Sequence, residues 1–396
     1  MNTSPSIEVK GFSVDSLKNI NTHFQKLLYT EREGLSLAVY HKNQLVLNLY
    51  GGFADKQSNR TWEENTMSCV YSVTKGFTSM LFANLVSEGK IKYDDLVTKY
   101  WKNFGKHNKE SITILQVLDH EAGLISFKED FGIDQANDFE YISRLIEDST
   151  PHWTPGTKTG YHALTRGFIL NEIYRRVTNK NTLGNFLKET VIPNLKHKEF
   201  YLGLPSIYEE RVARTTNPHL IESIYEHSMF PLQYLKMMKI FFTNGMLSNV
   251  ASNYPLFLSP MTTTHTFNQP KVRQLELPSA NGVGTAKGVA ETMSYIINSD
   301  LISNEVKAKI YKPLKNAVDI ILLNKVERGH GFSYEKHPLN SKKYIINIVG
   351  NGGQVLDIDL EENLVISLVR NGLRARAQGY PLYQLMRTEI YKTLTK

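Results

Sequence analysis

Hydrophobic and polar residues alternate with a strand-like period near both ends of the chain. Two β-rich runs, Leu35–Tyr40 and Leu45–Tyr50, flank the polar turn HKNQ and predict a β-hairpin. Three further runs near the other end, Tyr344–Val349, Val355–Asp359 and Leu364–Val369, are separated by the turn sequences GNGGQ and EEN. We therefore expect strands in the first and last parts of the chain.

Helical spacing takes over in the middle of the chain. From Val73 to Glu88, large apolar residues recur at helical steps, and Gly89 ends the run as a glycine commonly ends a helix. Further helices are predicted around Ile112–His120 and after Ala163. A closing helix is predicted over Leu382–Ile390.

This order of elements predicts an α+β fold in which an antiparallel sheet, flanked by helices, is assembled from both ends of the chain. We assign residues 1–85 and 265–396 to a discontinuous sheet domain, and residues 86–264 to a mainly helical second domain. A chain of 396 residues is long enough for this division. We expect the functional site to lie between the two domains.

The composition is that of a globular protein with a mildly cationic surface. Hydrophobic residues make up 41% and charged residues 21% of the chain, so extensive disorder is not expected. Lys and Arg outnumber Asp and Glu by 46 to 39, but the surplus is spread along the sequence and forms no basic stripe. This distribution argues against a nucleic-acid partner and leaves room for anionic substrates.

The cysteine count and the first residues indicate a cytoplasmic protein. Cys69 is the single cysteine, so no internal disulfide is expected. MNTSPSIEVKGF lacks the features of a secretory signal, and no apolar run approaches the roughly 20 residues that span a membrane. The sequence also lacks the spacings typical of metal sites and phosphate-binding loops. We therefore expect neither a membrane partner nor a cofactor.

A serine stands three residues before a lysine in three places: Ser72/Lys75, Ser87/Lys90 and Ser333/Lys336. The pairing matters because a hydroxyl attacks a carbonyl only when a base removes its proton. Residues three apart on a helix share a face, and only the first pair lies at a predicted helix start. The second pair straddles a helix-ending glycine, and the third lies in the polar segment SYEKHP. The first pair is therefore the candidate.

Two roles remain open for Ser72 and Lys75. A serine at a helix start commonly caps the helix, and the lysine one turn later is then an ordinary surface residue. Alternatively, Lys75 is the base for Ser72, which requires burial and positive neighbours to lower the lysine pKa from about 10.4 towards neutrality. Phe77 belongs to the apolar stripe, so an enclosed Lys75 is consistent with the pattern.

A second candidate group is HWTPGTKTGYHALTRGF, residues 152–168. Its Pro-Gly turn and Gly160 precede Tyr161, which stands ahead of the third predicted helix. A tyrosine in this position is most often a packing residue. It is alternatively a phenolate that shuttles a proton between nucleophile and leaving group, with Lys158 either as a second cation or as a surface residue.

Together these segments resemble the serine β-lactamase and penicillin-binding protein superfamily. The similarity is greatest to the class C-like branch, with its family VIII carboxylesterases and animal β-lactamase-like proteins. LDHEAGL, GLPSIYEERVA and PSANGVGTAKGVA also look like family landmarks and stand in family order. The resemblance implies a β-lactamase/transpeptidase-like fold. It further implies Ser72 as nucleophile, Lys75 as its base and Tyr161, in Tyr-His-Ala, as the third catalytic residue.

The chain departs from the family at the third motif, which is Lys-Thr-Gly or His-x-Gly followed by a Gly-rich turn. GNGGQ resembles that turn and places the triplet at Ile348-Val349-Gly350, with isoleucine at the basic position. By resemblance, Gly350, Ile348 and His162 contact the substrate. The resemblance also implies that the backbone amides of Ser72 and Asn351 hold the oxyanion.

This departure changes the expected substrate. RGHGF lies too early in the chain to replace the triplet, so His330 is predicted to be an ordinary strand residue. Ile348 removes a side chain that would engage a carboxylate such as that of a penicillin, and Ala163 stands where lactamases carry an amide. The sequence therefore predicts a serine hydrolase that forms an acyl-enzyme with small esters, or secondarily with amides or peptides, and has weak or no β-lactamase activity. The competing hypothesis is a catalytically weak or inactive scaffold that self-assembles into a homo-oligomer.

Overall fold

The computed structural model describes residues 8–129, 131–219, 266–374 and 381–395, together with positions 222, 224, 228 and 235. Within these residues the strands are β1 Lys10–Ser13, β2 Leu35–His41, β3 Gln44–Gly51, β4 Phe53–Asp55, β5 Arg60–Thr61, β6 Ser68–Cys69, β7 Phe200–Tyr201, β8 Val283–Gly284, β9 Lys315–Val318, β10 Lys325–Gly329, β11 Phe332–His337, β12 Asn340–Gly350, β13 Gln354–Asp359 and β14 Leu364–Arg370. The α-helices are α1 Lys18–Tyr29, α2 Thr74–Ser87, α3 Ile114–Leu118, α4 Ile133–Ala136, α5 Phe139–Asp148, α6 Thr165–Val177, α7 Leu183–Phe186, α8 Pro270–Gln274, α9 Ala286–Asn298, α10 Asn304–Lys309 and α11 Pro381–Leu394. In these ranges no helix has the length and apolar character needed to cross a bilayer.

The largest sheet has nine antiparallel strands in the order β1-β3-β2-β14-β13-β12-β11-β10-β9. Strands from the start of the chain pair with strands from its end, because β2 and β14 are neighbours with Ala38 opposite Ser367. This arrangement confirms the prediction of an antiparallel sheet assembled from both ends. The boundaries of the two predicted domains stay a prediction.

The predicted hairpin is formed by β2 and β3, but its turn is shorter than expected. His41 pairs with Gln44, which leaves only Lys42 and Asn43 between the strands. Their φ angles are 49° and 62°, as a two-residue type I′ turn requires. The polar sequence HKNQ therefore contributes two residues to the strands and two to the turn.

Helices cover both faces of the sheet. On one face α1 and α11 supply Phe24 and Ile390 to a core that includes Leu37 of the sheet. On the other face α2, α6 and α9 belong to a larger core that includes Ala38 and Val365. Because both faces are covered, β14 is buried along its whole length.

The predicted helix from Val73 to Glu88 corresponds to α2, which follows a 3-10 turn over Tyr71–Val73. All of Thr74–Leu85 is buried, so α2 is enclosed on every side and not along a single stripe. Gly76 allows α2 to approach β12 closely, because a Cβ at this position would overlap Cδ1 of Ile348. The first turn of α2 thus packs directly on the sheet.

Strands β9 to β11 are missing from the runs predicted by the alternation pattern, and only His330 is predicted to lie in a strand in this part of the chain. In β11, Phe332, Tyr334 and His337 are buried, but a bulge between Lys336 and His337 interrupts the two-residue period. The polar residues of SYEKHP conceal this pattern. His330 lies in the turn between β10 and β11 with a φ of 55°, so the prediction that it is a strand residue is wrong.

Asn371 ties the end of β14 to the neighbouring loops, and we predict that replacing it destabilises the fold. It is fully buried, its Oδ1 accepts from the amide of Gly34, and its Nδ2 lies 2.9–3.2 Å from the carbonyl oxygens of Phe53, Ala54 and Arg214. Asn371→Ala removes all four of these hydrogen bonds, and of the groups involved the carbonyl oxygen of Ala54 keeps a bond from the amide of Arg214. We expect the free energy of unfolding, measured by urea titration, to fall by about 2–4 kcal/mol.

Asn194→Ala is the matched control for this prediction. Asn194 also donates a side-chain hydrogen bond to a carbonyl, that of Thr190, but it is exposed. Water replaces the lost partner there, so the expected change is below about 0.5 kcal/mol. Equal effects of the two substitutions would contradict the role given to Asn371.

Candidate active site

The chain turns sharply just before Ser72. Tyr71 has a φ of 48°, in the left-handed region that residues other than glycine seldom occupy. Its buried ring packs edge-on against Phe267 with 5.0 Å between the ring centroids. The 3-10 turn and α2 follow at once, and neither has a side-chain cap. The interpretation of Ser72 as a helix cap is therefore wrong.

Protein atoms enclose the amine of Lys75. The residue is 5% exposed, and its Nζ lies 3.2 Å from Ser72 Oγ and 2.8 Å from the carbonyl oxygens of Ala163 and Ser279. An uncharged amine has two N–H donors and one lone pair. The two carbonyls accept the donors, which leaves the lone pair for the Ser72 hydroxyl. These partners suit a base that receives the serine proton.

The surroundings of Lys75 favour its uncharged form. Burial lowers the pKa of Lys75 well below its ordinary value, because the charged amine loses its hydration inside the protein. The guanidinium groups of Arg166 and Arg328 lower the same pKa further by electrostatic repulsion. Enclosure and positive neighbours, the two conditions for a lysine base, are both present. Lys158 is exposed, so of its two predicted roles it has that of a surface residue and not that of a second cation.

Tyr161 contacts the pair through its phenol. Its Oη lies 2.5 Å from Ser72 Oγ, and its ring centroid lies 4.8 Å from Lys75 Nζ. Burial raises the pKa of Tyr161, and the hydrogen bond with Ser72 and two nearby guanidinium groups oppose this rise only in part. The phenol therefore keeps its proton in these surroundings. This corrects the expectation of a phenolate, because desolvation outweighs the cations.

Asp319 fixes the segment that carries Tyr161. Asp319 is fully buried, and its Oδ1 accepts hydrogen bonds of 2.9–3.1 Å from the amides of Tyr161, Ile321 and Leu322. Its Oδ2 accepts a bond of 2.7 Å from Arg328 Nη1. Asp319 and Arg328 are absent from the predicted site residues, since no strand-like alternation marks this hairpin in the sequence. The arginine of RGHGF is the feature of the sequence that could have marked this hairpin as part of the site, but only the histidine of that motif was considered.

His162 lies behind the cleft and not in it. It is fully buried, its Nδ1 donates to the carbonyl of Gly160, and its Nε2 accepts from the amide of Leu124. Burial lowers the pKa of His162 to about 3, so the ring is neutral. This position corrects the prediction that His162 contacts the substrate, because both ring nitrogens are engaged by the backbone. His120 lines the cleft instead, with its ring 5.0 Å from that of Tyr161.

A small cleft opens beside Ser72. Ile348 lies in its wall, as the third-motif alignment predicts. Gly350 ends β12 against the turn that precedes the serine, because a Cβ at this position would lie 2.5 Å from the carbonyl oxygen of Val70. Asn351 follows and is exposed. The end of β12 is thus brought next to the candidate nucleophile.

The other two Ser-x-x-Lys pairs do not form the same arrangement. Ser87 Oγ accepts from the amide of Ser303, and Lys90 forms an exposed salt bridge. Ser333 lines the cleft, but Lys336 is exposed and its Nζ lies over a tyrosine ring. Of the three pairs, only the one in YSVTK brings its amine to its hydroxyl.

Comparison with known proteins identifies relatives of the chain. A model of the beta-lactamase family matches residues 20–387. The esterase/beta-lactamase LipL of Mycobacterium tuberculosis is 27% identical over 351 residues, which is 86% of this chain and 77% of that protein. A teichoic acid D-alanine hydrolase of Staphylococcus aureus is 24% identical over 187 residues, 46% of this chain and 44% of that protein.

Solved structures support the predicted fold. A family VIII carboxylesterase superposes with a TM-score of 0.83 at 25% identity and covers 98% of this chain and 100% of that chain. A penicillin-binding protein homologue from Caulobacter crescentus superposes with a TM-score of 0.81 at 23% identity, with 98% of this chain and 100% of that chain covered. The β-lactamase/transpeptidase-like fold is therefore confirmed.

The lowered pKa of Lys75 predicts a pH-dependent stability. Unfolding exposes Lys75 to water and restores its ordinary pKa of 10.5, so the unfolded chain binds more protons between the lowered pKa and 10.5. In that window the free energy of unfolding of the wild type rises with pH relative to Lys75→Met, with a slope of at most about 1.4 kcal/mol per pH unit. Urea titrations at several pH values from neutral to alkaline measure the difference.

An exposed lysine serves as the control for this linkage. Lys102→Met removes an amine that remains in water in the folded protein. We expect its stability difference from the wild type to be independent of pH. If the Lys75→Met difference is equally flat, Lys75 is charged in the folded protein and the assignment of a neutral amine is wrong.

Proposed function

The chain belongs to the beta-lactamase family and shares its fold with a family VIII carboxylesterase, and we propose that it hydrolyses small esters through an acyl-enzyme on Ser72. One observation carries the proposal: Ser72 Oγ lies within hydrogen-bonding distance of both Lys75 Nζ and Tyr161 Oη, at 3.2 and 2.5 Å. Nucleophile, base and proton donor are thus in mutual reach.

In the proposed acylation step, Lys75 removes the hydroxyl proton of Ser72 as Oγ bonds to the ester carbonyl carbon. The electron pair of the carbonyl double bond moves to oxygen and forms the oxyanion. The enclosed, uncharged amine supports this role, because a base must be unprotonated before it accepts a proton. The ammonium that results keeps its bonds to two backbone carbonyls and lies over the Tyr161 ring.

We assign the oxyanion to the backbone amides of Ser72 and Asn351. The first belongs to the turn that leads into α2, where helix amides carry partial positive charge. The second follows Gly350, which permits the end of β12 to lie against that turn. Donors placed in this way are each worth about 10²–10³ in rate.

Tyr161 is proposed to complete the reaction. When the tetrahedral intermediate collapses, the Tyr161 phenol gives its proton to the departing alcohol oxygen as the ester C–O bond breaks. Lys75 then returns its proton to the phenolate. In deacylation the same pair removes a proton from the attacking water, and Ser72 Oγ regains a proton as it leaves the acyl group. The protonated phenol of the resting site supports the first of these steps.

Small, compact esters suit the cleft better than β-lactams. Ile348 presents an apolar wall where related enzymes carry a basic group, and Ala163 has no side-chain amide to offer. An esterase name among the relatives is consistent with this substrate class. Amides and peptides are second candidates, because their poorer leaving groups demand more of the proton donor.

We predict that Ser72→Ala and Tyr161→Phe abolish or greatly reduce hydrolysis of short-chain p-nitrophenyl esters. Removal of the nucleophile is expected to lower kcat/KM by about 10³-fold or more, and removal of the phenolic proton by about 10²–10⁴-fold. Stopped-flow or plate-reader assays of p-nitrophenol release measure both.

Two surface substitutions control for nonspecific effects in these assays. Ser58→Ala and Tyr29→Phe make the same chemical changes at exposed positions and are expected to leave kcat/KM unchanged. Intact-mass spectrometry after fluorophosphonate treatment should show one adduct on the wild type and none on Ser72→Ala. Equal ester hydrolysis by all five proteins would refute the mechanism.

The base assignment makes a separate prediction for Lys75→Arg. A guanidinium stays protonated throughout the accessible pH range, so this variant has a cation at the site but no base. We expect fluorophosphonate labelling of Ser72 to be lost at every pH. In the wild type the labelling rate should rise with pH and level off well below the ordinary lysine pKa. An acid limb unchanged in Lys75→Arg would exclude Lys75 as the base.

The scaffold hypothesis gives the opposite results. An inactive, self-assembling protein would show no adduct with any acylating probe and a large particle by light scattering. Ile348 is the residue that motivates this alternative, since it replaces the basic group of the third motif. Labelling of Ser72 would decide in favour of the hydrolase.

A further inference from the structure

Arg328 is a cleft residue for which the acylation mechanism has no direct use. It lies near the end of β10, and its side chain is only 7% exposed. It nevertheless lines the cleft together with Ser72, Lys75 and Tyr161. Its guanidinium lies 6.0 Å from the centroid of the Tyr161 ring. A charged group is therefore held inside the site, close to where the substrate binds.

Among the residues that the structure describes, only Asp319 accepts a hydrogen bond from this guanidinium. Nη1 donates to Asp319 Oδ2 at 2.7 Å, whereas Nε and Nη2 make no hydrogen bond to any residue that the structure describes. Both nitrogens retain access to solvent, unlike Nη1 of Arg166, which is sealed in protein without a partner. Nε and Nη2 are the donors of the bidentate geometry that arginine uses with carboxylates. The donors that remain free are thus suited to an oxyanion ligand.

The salt bridge to Asp319 does not explain the whole guanidinium of Arg328. Oδ1 of Asp319 already accepts hydrogen bonds from three backbone amides. Oδ2 accepts its hydrogen bond from a single N–H of the guanidinium. In a purely structural role the remaining N–H groups would be enclosed by protein, as Nη1 of Arg166 is. Instead they face a cleft in which Ile348 provides no cation and Lys75 is uncharged.

We propose that Arg328 binds a carboxylate of the substrate, so that the preferred esters are ones that carry an anionic group. This inference rests on the proposed ester hydrolysis, which it narrows from small esters in general to carboxylate-bearing esters. The mildly cationic composition of the chain is compatible with such ligands. The cation comes from β10 and not from the third motif on β12.

The test compares matched neutral and anionic esters. In the first pair, mono-p-nitrophenyl glutarate carries a carboxylate on its acyl group and p-nitrophenyl butyrate is its neutral match. In the second pair, 4-carboxyphenyl butyrate carries the carboxylate on its leaving group and phenyl butyrate is its neutral match. For at least one pair we expect the wild type to prefer the anionic ester. In Arg328→Gln that ratio of kcat/KM values should fall by about 10- to 100-fold, mainly through KM. Arg328→Lys should restore part of the ratio.

The ratio separates substrate recognition from a general loss of activity. Arg328 also acts on the pKa of Lys75, so its replacement is expected to change hydrolysis of both esters, but only a carboxylate contact changes the ratio between them. Arg387→Gln is the control, because Arg387 is a similarly buried, salt-bridged arginine outside the cleft. Its ratio should equal that of the wild type. No anionic preference in the wild type, or an equal ratio in wild type and Arg328→Gln, would overturn the proposal.

Glutarate binding tests the site without turnover. Isothermal titration with glutarate should give binding to the wild type that is at least about 10-fold weaker in Arg328→Gln. If neither ester class is hydrolysed, the proposed hydrolase function fails, and this titration alone decides on Arg328. Absence of glutarate binding, or equal binding by both proteins, would exclude a carboxylate site.

Discussion

The enclosure of one amine is the constraint on which the rest of the site depends. Lys75 is held between the carbonyls of Ala163 and Ser279, which lie 88 and 204 residues further along the chain. These contacts take both N–H donors of an uncharged amine and aim its lone pair at Ser72. In the proposed mechanism, admission of water to Lys75 would restore its charge and so remove the base for Ser72. The packing of α2 in the centre of the molecule therefore has a chemical consequence.

The positive charges near the amine of Lys75 come from outside the third motif. The third motif contributes the apolar Ile348, and the positive field comes from Arg166 on α6 and Arg328 on β10. The same cations act on Tyr161, but burial outweighs them and the phenol retains its proton. In the proposed mechanism, a neutral lysine beside a protonated tyrosine forms a proton relay in the order that ester cleavage requires. If Arg328 also binds a substrate carboxylate, this arginine on β10 has two roles: it lowers the pKa of Lys75 and it recognises the substrate.

Strong local patterns were sufficient for much of the fold. β2, β3, β12, β13 and β14 are recognisable because they combine β-rich runs with clear turn sequences, and α2 because its apolar residues fill several turns. The runs that form β9, β10 and β11 were not recognised as strands by their alternation, since their polar residues and the bulge at Lys336 conceal the two-residue period. The unrecognised strands matter for the site, because Asp319 and Arg328 belong to the hairpin of β9 and β10. His162 was assigned to the substrate from its place in a motif, but its ring is turned into the protein.

The sequence by itself determined that Ser72 and Lys75 lie one helical turn apart at the start of α2, because that relation is set by local geometry and survives in any fold that keeps the helix. It also marked Tyr161 through its motif. Only the tertiary structure decided the protonation of Lys75 and Tyr161, the identity of the nearby cations and the orientation of His162. Those properties depend on desolvation and on contacts between segments far apart in the chain, and neither is encoded in the spacing of a motif.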